Sequence, residues 1–160
     1  MGDTNFFFKK SGVEYQPNSN SIFTNSRNKD GGGVLIGVQE ELGRVAVDIK
    51  QENELFEAQW IKIDNRRMKI RIGVIYTPQE NKCKQQEIEK IYRKIANEIR
   101  KAEVNGEKIL IMGDFNCKIG KVIPSNQEKV SKAGKVLNKM CEDMDLLVLN
   151  SHKKMRRKVD

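Results

Sequence analysis

Apolar residues along the chain fall into short runs with two distinct periods. "GGGVLIGV" (31–38) reads as a turn feeding a strand. "GRVAVDIK" (43–50) alternates Val45, Val47 and Ile49 with polar neighbours, the mark of a half-buried strand. Together they predict a hairpin about Glu40 to Gly43. "LFEAQWIKI" (55–63) and "MKIRIGVIY" (68–76) predict a second pair across "DNRR", with Ile70, Ile72, Val74 and Tyr76 on one face at period two. Pro78 has no N–H for a sheet ladder, so that strand ends around Tyr76 and Thr77.

The period then changes. In "KQQEIEKIYRKIANEIRKAE" (84–103), Ile88, Ile91, Tyr92, Ile95, Ile99 and Ala102 recur at helical spacing, with charge on the other side. Asn105-Gly106 stops this helix. "KILIM" (108–112) is a short continuous apolar run that suits a strand covered on both faces. A polar loop from Cys117 to about Glu128 follows. Ala133, Val136, Leu137, Met140, Cys141 and Met144 predict a second amphipathic helix, and "LLVLN" (146–150) a closing buried strand. The first 30 residues are rich in Asn, Ser and Lys, which predicts loose structure or weak edge strands at Phe6 to Phe8 and Ser21 to Phe23. This order of elements argues for one domain of the α/β or α+β class, with a mixed sheet carrying helices.

Composition narrows the function classes. No apolar stretch reaches the roughly 18 residues that would cross a bilayer, and the start has neither a signal-peptide nor a myristoylation pattern. Cys83, Cys117 and Cys141 are odd in number and far apart, so neither a disulfide framework nor a zinc cluster is expected, and a reducing intracellular compartment, nuclear or cytoplasmic, fits them. The net charge of +8 favours polyanionic partners such as nucleic acid. Half of it lies in the tail at 153–160, where Lys153, Lys154, Arg156 and Arg157 read either as a solvated end or as a nucleic-acid contact or nuclear-import patch.

The candidate chemistry sits in "ILIMGDFNCKIG" (109–120), an apolar run that ends abruptly in Gly113, Asp114, Phe115 and Asn116. In extended backbone, residues two apart face the same way, so Asp114 and Asn116 are expected to project together while Phe115 anchors the end. Ligand and catalytic groups of open α/β sheets gather at carboxyl ends of strands. A carboxylate beside an amide suits phosphate ester hydrolysis: Asp accepts a proton from water or holds a divalent cation, and Asn donates to a phosphate oxygen. A plain Gly-Asp turn with a solvated acid reads the same residues equally well.

"GVLIGV", "IRIGVIYTP", a long helix, "ILIMGDFN" and "GKVLNKMCEDMDLLVLNS", in that order and spacing, resemble the endonuclease/exonuclease/phosphatase superfamily. The likeness, over about residues 30 to 152, is greatest to the apurinic-type endonuclease domain of non-long-terminal-repeat retrotransposons. It implies a DNase I-like four-layer α/β sandwich, two packed sheets flanked by helices, and DNA phosphodiester cleavage dependent on Mg2+ or Mn2+. By motif match, Asp114 would polarise or deprotonate the attacking water and contribute to metal binding. Asn116 would position the scissile phosphate, and Tyr76 would give its hydroxyl to the phosphate or the leaving group. Tyr76 alternatively serves as an aromatic on a core face.

The chain also departs from that pattern. The family's early Asn strand and metal-binding Glu have no match before the glycine-rich run, and Glu40 falls after "GGGVLIGV", too late to serve as that ligand. No Ser-Asp-His signature closes the chain, and His152 lies in a basic context without an intervening Asp. The expectation is a central fragment of the fold, feeble or inactive alone, with sheet edges that invite pairing with another chain. Two rivals stand beside an active nuclease: a non-catalytic nucleic-acid-binding remnant, and a phosphatase of the same superfamily. Other chemistries fit worse. No GxSxG is present, and Gly113 to Lys121 has six residues between its glycines where a P-loop has four. Trp60 reads as core rather than as a base-stacking platform.

Overall fold

A computed structural model describes residues 20–25, 33–43, 45–49, 54–120 and 129–149. It is a mixed α/β structure that divides into two compact units, Met1–Thr77 with Arg100–Phe115, and Pro78–Ile99 with Asn116–Asp160. The tail at 153–160 and His152 lie outside the described residues, as does the Phe6 to Phe8 run.

The first unit holds two sheets. One pairs β1 (Asn20–Asn25) antiparallel with β2 (Val34–Gln39). The other is mixed, in the order β3 (Ala46–Ile49), β4 (Glu57–Asp64), β5 (Lys69–Tyr76), β6 (Lys108–Asp114). The weak strand expected at Ser21 to Phe23 is thus present as β1. The hairpin expected about Glu40 to Gly43 is not: a four-residue helix, α1 (Glu40–Gly43), turns the chain from one sheet into the other. β2 pairs with β1 instead, and β3 with β4. Alternation tells how a strand is buried but does not choose its neighbour. On β3 the expected apolar face is also incomplete, since Val47 is 59% exposed.

The core of this unit lies between the sheets. Val34, Ile36 and Val38 of β2 pack with Ile61, Ile63 and Val74, and Ile70, Ile72, Tyr76 and Met112 border them. Each such side chain contributes roughly 1.5–3 kcal/mol through burial. The predicted face of β5 is therefore the one turned to the other sheet. Its opposite face carries Gly73, where a methyl group would fall 2.5 Å from the Trp60 ring. Trp60 is 1% exposed, a core residue as expected. The β4–β5 hairpin closes through Asn65, whose side-chain oxygen accepts from the N–H groups of Arg67 and Met68.

β5 and β6 are parallel, which requires a crossover, and α2 (Gln85–Val104) supplies it. All six apolar positions predicted for this helix are buried. Glu87 caps its start by accepting from the Lys84 N–H. At its end Gly106 has φ 65°, and the Glu107 N–H returns to the Ala102 carbonyl, a Schellman closure. β6 is less covered than its apolar run predicts: it is the last strand of the sheet among the described residues, and its interior is half-buried.

In the second unit, α3 (Lys132–Asp143) buries Ala133, Gly134, Leu137 and Met140. It too ends in a Schellman closure, with Asp145 at φ 49° and the Leu146 N–H on the Cys141 carbonyl. The strand expected at "LLVLN" does not form over 146–149, where Leu147 is 65% exposed. An apolar run becomes a strand only where a ladder partner lies beside it, and none does here among the described residues.

Candidate active site

β5 and β6 run in register, so Ile75 stands opposite Gly113, and Tyr76 opposite Asp114. Register partners share a face, and Val74 and Met112, two residues earlier, both border the inter-sheet core. Tyr76 and Asp114 are the next pair on that face, at the carboxyl ends of both strands. Tyr76 is half-buried at the edge of the core cluster, while Asp114 is exposed. The carboxylate and phenol predicted to meet at a strand mouth are thus neighbours in one row. The row continues to Glu57, which pairs with Tyr76 across the β4–β5 hairpin.

Two backbone features fix this end of the sheet. Gly113 has φ 132°, and a Cβ there would lie 1.9 Å from the Ile75 carbonyl oxygen. Thr77, 3% exposed, then ties the strands beyond their ladder. Its N–H donates to the Asp114 carbonyl at 3.0 Å and its hydroxyl to the Phe115 carbonyl at 2.6 Å. Neither Thr77 nor Glu57 emerged from the sequence, although Glu57 follows from counting back along the hairpin from Asn65.

Asn116 belongs to the second unit. The expectation that strand alternation aims it alongside Asp114 does not hold, because β6 ends at Asp114 and Asn116 has φ 43°, a left-handed backbone. Asn tolerates that conformation better than most residues. It lines a cavity of about 560 Å³ with Glu80, Cys117, Lys118, Ser131 and Lys132, among others.

The segment carrying Asn116 is held from several sides within this unit. Lys118 N–H donates to the Ser131 hydroxyl oxygen and Ser131 N–H to the Lys118 carbonyl. Asn138 donates to the Ile119 carbonyl, and Gly134 lets α3 approach so closely that a Cβ would meet the Lys118 carbonyl oxygen at 2.0 Å. The Tyr92 hydroxyl donates to Cys117 Sγ at 3.7 Å. Burial, and then the Cys117 sulfur, push the Tyr92 hydroxyl far above its ordinary range, so it stays a donor. Burial also raises Cys141.

Ser131 caps α3 by accepting from the Gly134 N–H, a role its place before an apolar helix makes readable. Glu80 completes the cap, accepting from the N–H groups of Lys132 at 3.1 Å and Ala133 at 3.0 Å. The Ser131 hydroxyl and these N–H groups hold its carboxyl below the ordinary range.

The donor set does not make a resident magnesium site. Magnesium is a hard cation bound through carboxylate oxygens, and no group of three or more His, Cys, Asp or Glu gathers among the described residues. Asp114 is the ligand the sequence predicts, and it has no such group around it. No helix among the described residues is long and apolar enough to cross a membrane. No model of a known protein family matches the chain, and no curated protein matches it.

Proposed function

We propose that this chain is a phosphodiester-cleaving domain of the endonuclease/exonuclease/phosphatase type, retrotransposon-derived and acting on DNA, with the DNase I-like sandwich as its full architecture. The observation that carries the reading is the in-register pairing of Tyr76 with Asp114 at the carboxyl ends of two parallel strands. In this reading Asp114 takes the proton of the attacking water as the new O–P bond forms. The Tyr76 hydroxyl donates to a phosphate oxygen as the bond to the leaving oxygen breaks, and that oxygen departs with a proton from solvent. Asn116, by the resemblance, orients the phosphate. A divalent cation, Mg2+ or Mn2+, would find Asp114 as its ligand and would bind weakly, so activity is expected to be slow.

Nicking of a supercoiled plasmid in millimolar Mg2+ tests this. Asp114→Ala is expected to slow nicking at least about a hundredfold, the scale of a lost general base. Nicking that survives this change undiminished rules the reading out. The sparse carboxylate set and the net charge of +8 favour one second reading, a non-catalytic nucleic-acid-binding form of the same fold. Salt-sensitive DNA binding without any nicking would select it.

A further inference from the structure

We infer that the cavity of the second unit binds a backbone phosphate of a polynucleotide through the ammonium groups of Lys118 and Lys132 and the carboxamide of Asn116. The inference rests on the phosphodiester reading above and deepens it, naming a substrate contact beyond the Tyr76 and Asp114 pair. Every residue of this site belongs to one compact unit.

The charge of the cavity decides what it can hold. Its ionic lining is two lysines against one glutamate. That glutamate, Glu80, spends its carboxylate on the N-terminus of α3, accepting from Lys132 N–H, Ala133 N–H and the Ser131 hydroxyl. Acid and helix end offset each other, so the lysines set the sign of the remaining field. An ammonium offers only donors, and a carboxamide offers two more through its NH₂. Donors converging with positive charge match an oxyanion, and phosphate oxygens accept such charge-assisted bonds best. A cation would meet two like charges.

Preorganisation supports the same ligand. Asn116 and Lys118 lie on the segment that α3 grips through the reciprocal Lys118 and Ser131 bonds, Asn138 on Ile119, and the close approach at Gly134. The backbone under the donors is therefore fixed before a ligand arrives, which lowers the ordering cost of binding. The net charge of +8 favours a polyanion over a single phosphate ester as the source of that group.

The test is the salt dependence of binding of a fluorescein-labelled single-stranded oligothymidylate to the full chain, read by anisotropy. Each of Lys118→Gln and Lys132→Gln is expected to make the slope of log K against log salt shallower by about 0.7, the counterion release of one single-strand phosphate. Asn116→Ala should weaken binding with the slope kept. Lys90→Gln, the same charge change on an exposed helix position outside the cavity, should leave the slope unaltered. Unchanged slopes in both cavity variants, or an equal change in Lys90→Gln, would overturn the inference. Competition by thymidine monophosphate as strong, per phosphate, as by the oligomer would reassign the cavity to small phosphate esters and also overturn it. Asp114→Ala is expected to keep the wild-type slope, so loss of the active-site reading and loss of this one give different results.

Discussion

Gly113→Ala is expected to destabilise the chain by about 3–5 kcal/mol, combining backbone strain with a forced steric shift. The residue sits at φ 132°, where a side chain is strained whatever the space around it. Space is absent as well, since the new methyl carbon would lie 1.9 Å from the Ile75 carbonyl oxygen, a backbone atom with no rotamer to escape into. Relief requires β6 to move off β5 at the very rung before Tyr76 and Asp114. A domain of this size is stable by only about 5–15 kcal/mol in total, so the variant should be substantially unfolded at physiological temperature. Gly37→Ala is the internal control: nothing lies within 4 Å of its Cβ position, and it should be neutral or slightly stabilising. Urea unfolding midpoints of the two variants against wild type check the contrast. Equal midpoints for Gly113→Ala and wild type would mean that the close approach is not a feature of the molecule.

Arg71→Met is expected to cost about 3–5 kcal/mol, because it strands a buried carboxylate. Arg71 Nε donates to Glu107 Oε2 at 2.8 Å, with side-chain exposures of 7% and 1%. The Schellman closure at Gly106 delivers Glu107 into this position, so the pair ties the end of α2 to the sheet of its own unit. Lys62 lies 3.3 Å from Glu107 Oε1, yet that oxygen has no well-directed hydrogen bond. Lys62 is also shared with Asp64, which comes ahead of Glu107 in raising its pKa. It therefore compensates little when Arg71 is lost. The double variant Arg71→Met with Glu107→Leu removes both charges and should recover most of the loss. Denaturant titration of the two variants decides the point: a double variant less stable than the single one would show that the pair itself, rather than the orphaned acid, carries the energy.

Much of the fold was legible because single periodicities govern it. The buried stripe of α2 runs through Ile88, Ile91, Tyr92, Ile95, Ile99 and Ala102 as its spacing dictates, and Gly106 ends it. β4 and β5 pair across Asn65 because alternation and turn chemistry agree there. Neighbour choice was not legible. The partner of β2 is the short, polar β1, and the turn at Glu40–Gly43 is helical where a hairpin was expected. "LLVLN" shows the converse, an apolar run with strand composition and no ladder over 146–149.

The candidate site was legible to the same depth. That Tyr76 and Asp114 would end their strands followed from Pro78 and from the apolar run before Gly113, and the parallel register then places them side by side. Asn116 escaped because a left-handed residue ends the alternation on which its placement depended. Lys118 and Lys132 escaped because they are 14 residues apart in sequence and meet at one cavity only through the Lys118 and Ser131 bonds. Local pattern carries no information about such closures.

The account's central claim is that the Asp114 carboxylate and the Tyr76 phenol act on one phosphate as a unit. A double-mutant cycle of Asp114→Asn and Tyr76→Phe, in single-turnover cleavage of an end-labelled DNA duplex, measures this most directly. The account predicts that each change slows cleavage and that the double variant is about as slow as the slower single one. Penalties that simply multiply, or an Asp114→Asn protein that cleaves at the wild-type rate, would contradict it.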